Sequence, residues 1–284
     1  MQMRARQSET PVGVSPHRPA ATASIGSPRV LEAAGFSQEL IEALAAGTID
    51  GIRVPGALRP EVFRAAAAAL DHIQFSMYDR VRVFPPVARF GVSINDHRVD
   101  GLIADSYWAE VDAARREWSR LGVHPDPFEA CRRLIGDVWP FGVELSRCGD
   151  AAFSPGIIRE INNGLQVHFD DANLEHTTDL FDVRLVNQFA FNLYLTVPPS
   201  GGELVIWRHR RQESDEAYLI PGSYGYDEAV VAGIEPTVIR PQAGEVILFD
   251  PRNFHTVRPA KRGRRVSIGF SVGLAETGKL VVWA

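Results

Sequence analysis

From Phe153 to the C-terminus the chain breaks into short apolar segments separated by Gly, Pro, Asn and Asp. GIIREIN, LQVHFD, NQFAFNLYLTV, GELVIWR, TVIRP, GEVILFD, HTVRPA and RRVSIGFSVGL follow one another at close spacing. No other feature constrains the fold as much. Segments this short satisfy their backbone groups by pairing, and many of them in succession point to a β-sandwich or barrel. The preceding residues read differently. Ser37 is placed to cap a helix through SQELIEALAAG with Gly47 as its stop, and Pro60 opens another in RPEVFRAAAAALDHI. ADSYWAEVDAARREWSRLG and DPFEACRRLIGDVW have helical spacing, and DGIRVPGAL reads as a strand and turn. Trp108 and Trp118 are expected in the core.

The 284 residues are 45% apolar, ample for one sizeable core, and no repeat or linker divides them. The expected organisation is a single domain over 29–284, with a helical part over 29–150 and a β core over about 151–284. Residues 1–28 are rich in Ser, Pro, Ala and Thr without a hydrophobic period and read as a flexible tail. The formal net charge is -5 and the arginines are scattered, so no nucleic-acid partner is expected. The run RHRRQ (Arg208 to Gln212) reads as a solvated strand end. No apolar run approaches the roughly 20 residues of a membrane span, and the N-terminus lacks the apolar core of a secretory signal. Cys131 and Cys148 form no CxxC pair, which argues against structural zinc and fits a reducing, cytoplasmic setting. Monomer and homodimer both remain open.

The stretch VHFDDANLEH concentrates possible ligands. In a strand, i and i+2 share a face, so His168 and Asp170 point together while Asp171 points away. His176 follows a turn-forming DDAN and reads as a loop residue. A His-x-Asp triplet alone is a weak signal and needs a third ligand from far along the chain. Two histidines and one carboxylate on one face are the set that non-haem iron(II) oxygenases use. PQAGEVILFDPRNFHTVRPAKRGRRVSIGF supplies a candidate, with His255 opening a strand after a buried one. Farther on, Arg265, Ser267, Gly269 and Ser271 share one face, opposite Val266, Ile268, Phe270 and Val272. A buried Arg265 needs an anionic partner, and a dicarboxylate would supply one, with Ser267 as hydroxyl neighbour. Asn192 and Tyr194 share a face of NQFAFNLYLTV, although pocket-facing and outer positions there are not separable. Arg159 is a weaker substrate-binding candidate. His72, His97, His124 and His209 read as surface or structural.

Together, His168-x-Asp170, the distal His255 and Arg265-x-Ser267 resemble the iron(II)/2-oxoglutarate-dependent oxygenases. PQAGEVILFDPRNFH is similar to the family's approach to its distal histidine, and LYLTVPPSGGELVIW to the hairpin between its ligand-bearing regions. The likeness covers about Ile157 to Ala284 well and the first half loosely. It implies an α+β, mainly β fold: a double-stranded β-helix (jelly-roll, cupin-like) core with the N-terminal helices packed outside. It implies Fe(II) held by His168, Asp170 and His255, and 2-oxoglutarate held by Arg265 and Ser267. Asn192 and Tyr194 are candidates to contact 2-oxoglutarate or substrate. Dioxygen is the implied cosubstrate. The implied reaction is hydroxylation of an unactivated C–H bond in a small molecule, an amino acid derivative or natural-product intermediate, releasing succinate and carbon dioxide. Desaturation, epoxidation, cyclisation and a non-oxidative cupin-like metal-binding module are the alternatives. YLTVPPSGGELVIW and SIGFSVGLAETGKLVVWA are similar to the branch holding standalone alkaloid halogenases of the welwitindolinone and ambiguine type, to which N-succinyl amino acid hydroxylases look related. Those halogenases carry Gly where this chain has Asp170, so the retained carboxylate argues for oxygen transfer. The first half and the insert RRQESDEAYLIPGSYGYDEAVVAGIEP are the candidate lids.

Overall fold

The computed structural model describes residues 29–99, 102–176 and 180–284. The expectation of a flexible tail over 1–28 therefore lies outside the described residues. In chain order, the elements that place the site begin with β1 (Val30–Glu32), α1 (Gln38–Ala45), β2 (Gly51–Val54), α2 (Pro60–Ala69), β3 (Ala88–Phe90), α3 (Asp105–Leu121) and α4 (Pro127–Gly136). They continue with β4 (Ile157–Glu160), β5 (Leu165–His168), β6 (Leu185–Thr196), β7 (Leu204–Arg210), β8 (Pro236–Ile239) and β9 (Val246–Phe249). The last are β10 (Asn253–Val257), β11 (Val266–Ala275) and β12 (Leu280–Trp283). The helices start where their caps lie. Ser37 Oγ accepts from Leu40 N at 3.3 Å, and Asp126 does the same for Phe128 N at 2.9 Å. Pro60 and Pro127 occupy first turns, where a missing N–H is harmless.

Two sheets result. The larger runs β1-β2-β9-β6-β11-β4-β3, with β12 paired to β11, and the smaller runs β5-β10-β7-β8. The buried cluster of Tyr194, Leu204, Ile206, Ile239, Ile247 and Phe249 joins β6 and β9 of one sheet to β7 and β8 of the other. The sheets thus face each other as a jelly-roll sandwich. Alternation along β6 decides what goes where. Phe189, Phe191, Leu193 and Leu195 fall in one cluster with Ile41 and Leu44 of α1, Val62 and Ala66 of α2, and Cys131 and Ile135 of α4. Val266, Ile268, Phe270 and Val272 of β11 join it, as the period-2 reading expects. Burying each such side chain is worth about 1.5–3 kcal/mol. The opposite face of β6, with Ala190, Asn192 and Tyr194, turns to the space between the sheets.

The strand expected in DGIRVPGAL is β2, and the first half supplies further strands beside it. β1, β2 and β3, together with Val143–Leu145, all belong to the larger sheet. β2 pairs with β9 from Val246↔Val54 to Phe249↔Gly51, and β3 pairs with β4. Strands of three residues, such as β1, β3 and Val143–Leu145, are too short to show a period of two, so only their long-range partners reveal them.

Candidate metal centre

His168 ends β5, His255 sits in the middle of β10, and the two are direct partners across this antiparallel pair. Opposed residues share a face. Sheet register alone therefore sets the imidazoles side by side, with ring centroids 4.1 Å apart. One local device orients both rings. Nδ1 of His168 lies 2.8 Å from the Gln166 carbonyl oxygen, and Nδ1 of His255 lies 2.9 Å from that of Asn253. A carbonyl only accepts, so each Nδ1 carries the proton and each Nε2 keeps a lone pair for a metal. Burial lowers the pKa of His168, and burial with the neighbouring His168 lowers that of His255 to about 4. Both rings are neutral near pH 7, as ligation requires.

Asp170 lies just past the end of β5, and its backbone N–H donates to the Pro251 carbonyl at 2.8 Å. That bond keeps its carboxylate on the histidine side, with Oδ2 3.7 Å from His255 Nε2. One ligand atom from each of His168, Asp170 and His255 lies within 4.8 Å of the others. The set is two imidazole nitrogens and one carboxylate, which suits a divalent iron with open positions. The Asp170 side chain is 38% exposed while both histidines are buried, so the set opens on the carboxylate side. Asp171 takes another job, capping the short helix Ala172–Glu175 by accepting from Asn173 N at 3.0 Å. His176 follows that helix, and neither residue joins the cluster.

The same cavity holds Arg265, which is 2% exposed. Its Nε donates to the Gly202 carbonyl at 2.9 Å and its Nη2 to the Tyr194 hydroxyl at 3.3 Å. Nη1 has no partner. Burial lowers its pKa, with Tyr194 opposing and Arg159 adding to the effect, and no carboxylate contributes. An unmet N–H on a buried guanidinium costs several kcal/mol unless an anion meets it. The carboxylate of a dicarboxylic acid fits that need. Gly202 permits the approach: it has φ +76, and a Cβ there would lie 2.7 Å from Pro198 and 3.2 Å from Arg265 Cδ.

Asn192 and Tyr194 both line the cavity, whereas Asn187 on the same strand donates to the Ala45 carbonyl of α1 at 2.7 Å. Ser267 is 1% exposed, in register with Tyr194 and Arg159, but is not part of the cavity wall. The hydroxyl on the guanidinium is that of Tyr194.

The wall also contains residues that spacing did not single out: Tyr78, Arg82, Asn95 and Tyr224, beside Arg159. Tyr224 comes from the insert over 210–236, and its ring meets His168 edge-on at 4.8 Å. Tyr226 N donates to the Val167 carbonyl at 2.7 Å, tying the insert to β5. Tyr224 N and Ser223 Oγ donate to the Arg82 carbonyl at 3.3 and 3.2 Å, joining the two candidate lids at the mouth. The length and aromatic content of the insert located the segment, but nothing in the sequence separates Tyr224 from its neighbours.

His72, His97, His124 and His209 are engaged or exposed. His97 meets Glu110 at 3.1 Å, His209 meets Asp215 at 3.0 Å, and His72 and His124 are exposed. Arg208, Arg210 and Arg211 of the basic run pair with Asp50, Asp250 and Glu216 of the same chain.

The profile of the 2OG-Fe(II) oxygenase superfamily matches residues 157–271. L-gamma-glutamyl-L-propargylglycine hydroxylase of Streptantibioticus cattleyicolor is 35% identical over 257 residues, which are 89% of this chain and 95% of the relative. Leucinostatins biosynthesis cluster protein S of Purpureocillium lilacinum is 27% identical over 221 residues, 72% of this chain and 88% of the relative. The crystal structure of an N-substituted L-amino acid dioxygenase in complex with alpha-KG from Burkholderia ambifaria shares the fold at TM-score 0.57 and 18% identity, covering 87% of this chain and 90% of that one.

Proposed function

The chain belongs to the 2OG-Fe(II) oxygenase superfamily, and on that premise we propose that it hydroxylates an unactivated C–H bond of a small amino acid derivative. It is a 2-oxoglutarate-dependent dioxygenase. Fe(II) and 2-oxoglutarate are its cofactors and dioxygen its cosubstrate, with succinate and carbon dioxide released. One observation carries the reading: a single cavity brings a two-histidine, one-carboxylate set together with a buried guanidinium that lacks an anion.

His168, Asp170 and His255 would hold the iron, which supplies oxygen activation when bound. Arg265 would hold the distal carboxylate of 2-oxoglutarate through Nη1, with Tyr194 fixing the guanidinium from the other side. Ser267 supports this from β11, and Asn192 lies where it would contact the cosubstrate or the substrate. Tyr78 and Tyr224 would exclude water from the iron-facing end. Asp170 also bears on the outcome: a carboxylate in that position leaves no room for a halide, which favours hydroxylation. The names of the relatives, a γ-glutamyl dipeptide hydroxylase and an N-substituted amino acid dioxygenase, support an acylated amino acid as the substrate class. We read 29–284 as one domain in which helices α1, α2 and α4 form the outer layer and the insert over 210–236 is the lid.

The test is anaerobic addition of Fe(II) and 2-oxoglutarate, followed by the weak visible charge-transfer band of the chelate. The band should form in the native protein and vanish in His255→Ala and Asp170→Ala. Arg265→Gln should leave metal binding intact and weaken 2-oxoglutarate about 10–100-fold. Absence of the band in native protein rejects the reading. A band unchanged in the alanine variants rejects the ligand assignment.

A further inference from the structure

The charges lining the cavity do not balance. Arg82 has Asp96 as a partner at 3.9 Å, and the adjacent Arg89 has the same carboxylate at 3.1 Å. Arg159 differs. Its Nε donates to the Tyr78 hydroxyl at 2.9 Å, and among the described residues neither Nη1 nor Nη2 makes a hydrogen bond or ion pair. Asp170 is the acid whose charge it feels, and Asp170 is committed to the metal in the proposed function. With a divalent metal bound, Asp170 cancels one of its two charges. Arg265 and Arg159 each add one. The two carboxylates of 2-oxoglutarate offset two of the resulting three, which leaves one positive charge.

Geometry says where that charge is offered. Arg159 lies on β4, opposite Ser267 of β11. Its side chain crosses β11 at Gly269, where a Cβ would stand 2.7 Å from Arg159 Nη1 and 3.0 Å from Asn192 Oδ1. The glycine lets the guanidinium lie against the sheet and reach the wall formed by Asn192, on the side of the cavity that holds Asp170. Tyr78 fixes its Nε edge and leaves the other edge for a ligand. A second unmet group is nearby in the wall: Asn95 Oδ1 is buried without a partner. A buried acceptor of this kind suits an amide N–H.

We propose that Arg159 is the substrate anchor, binding the C-terminal carboxylate of an N-acylated amino acid or γ-glutamyl-type dipeptide whose amide N–H meets Asn95. This deepens, and rests on, the function proposed above. Anchoring the carboxylate fixes which carbon of the side chain faces the metal, so Arg159 sets both substrate class and regiochemistry.

The test uses the full chain loaded with Ni(II) and 2-oxoglutarate, which is inert to turnover, and isothermal titration with L-γ-glutamyl-L-propargylglycine and with its C-terminal primary amide. The native protein should bind the acid about 10–100-fold more tightly than the amide. Arg159→Gln should bind both as weakly as the native protein binds the amide, and Arg159→Lys should restore part of the difference. Affinity for 2-oxoglutarate should stay within about twofold in both variants. Equal binding of acid and amide by the native protein, or no saturable binding of the acid, overturns the proposal. So does an Arg159→Gln protein, folded by its melting curve, that loses 2-oxoglutarate affinity, because Arg159 would then belong to the cosubstrate. Failure of the native protein to bind 2-oxoglutarate at all overturns the proposed function instead.

Discussion

His255 shows how a single residue ties stability to pH. Its pKa is about 4 in the folded chain against 6.5 for a free histidine, because burial and the neighbouring His168 disfavour the charged ring. Above pH 6.5 neither state holds the proton and the full stability is present. As pH falls below that value, the unfolded chain takes up a proton that the folded one refuses. Stability drains until the pH passes about 4, for a total of about 3 kcal/mol from this group. Denaturant titrations of metal-free protein between pH 7 and pH 4 should show this slope, and His255→Gln should make it shallower, while the lowered pKa values of His168 and His176 keep part of it; an equal slope in both proteins counts against the assignment. Gly269→Ala makes a second prediction. The new Cβ meets Arg159 Nη1 at 2.7 Å and Asn192 Oδ1 at 3.0 Å, so the guanidinium must move. Substrate affinity should fall about tenfold, as for the loss of one charge-assisted contact, with 2-oxoglutarate binding unchanged by titration. At this scale His168, Asp170, His255 and Arg265 were legible because each carries ligand or charge chemistry at a position that period 2 or family likeness singles out. Tyr78, Asn95 and Tyr224 were not, because nothing periodic marks a wall residue on an irregular segment.

Among the elements, the insert over 210–236 is held to β5 by a close crossing. At Gly225 an added Cβ would stand 2.4 Å from Gln166 Oε1 and 2.5 Å from Gln166 Cβ. Gly225→Val should therefore lift the insert from β5 and draw Tyr224 away from His168. The expected result is faster limited proteolysis within 210–236, a metal affinity changed by less than about threefold, and a raised KM for substrate. Proteolysis at the native rate would show that the insert is not held there. The long strands β6 and β11 were legible from alternation, and the helices from their caps and apolar faces. β1, β3 and Val143–Leu145 were not, since three residues carry no period, and they are strands because a longer neighbour offers its edge.

For the molecule as a whole, the ligands bind only the folded sheets, because His168 and His255 come from different strands and Arg265 from the facing sheet. Metal and 2-oxoglutarate at about 100 times their dissociation constants should each add about 2.7 kcal/mol. For a chain of this size that corresponds to a rise in Tm of roughly 4–5 °C per ligand. A melting series should show both increments in the native protein, and in Arg265→Gln the full metal increment with a 2-oxoglutarate increment cut to about half or less. No helix among the described residues is long and apolar enough to cross a membrane, as the absence of a long apolar run suggested. The sequence by itself determined which segments form strands, which faces are apolar, and which residues carry ligand chemistry, because these follow from residue type and local period. The tertiary structure alone decided that His168 and His255 oppose each other in register and that Arg265 leans on the Tyr194 hydroxyl. It also decided that Arg159 reaches the cavity across Gly269 with Tyr78 on its Nε and no hydrogen bond from Nη1 or Nη2 among the described residues. Each of these depends on which strands lie side by side, and that is set by long-range pairing.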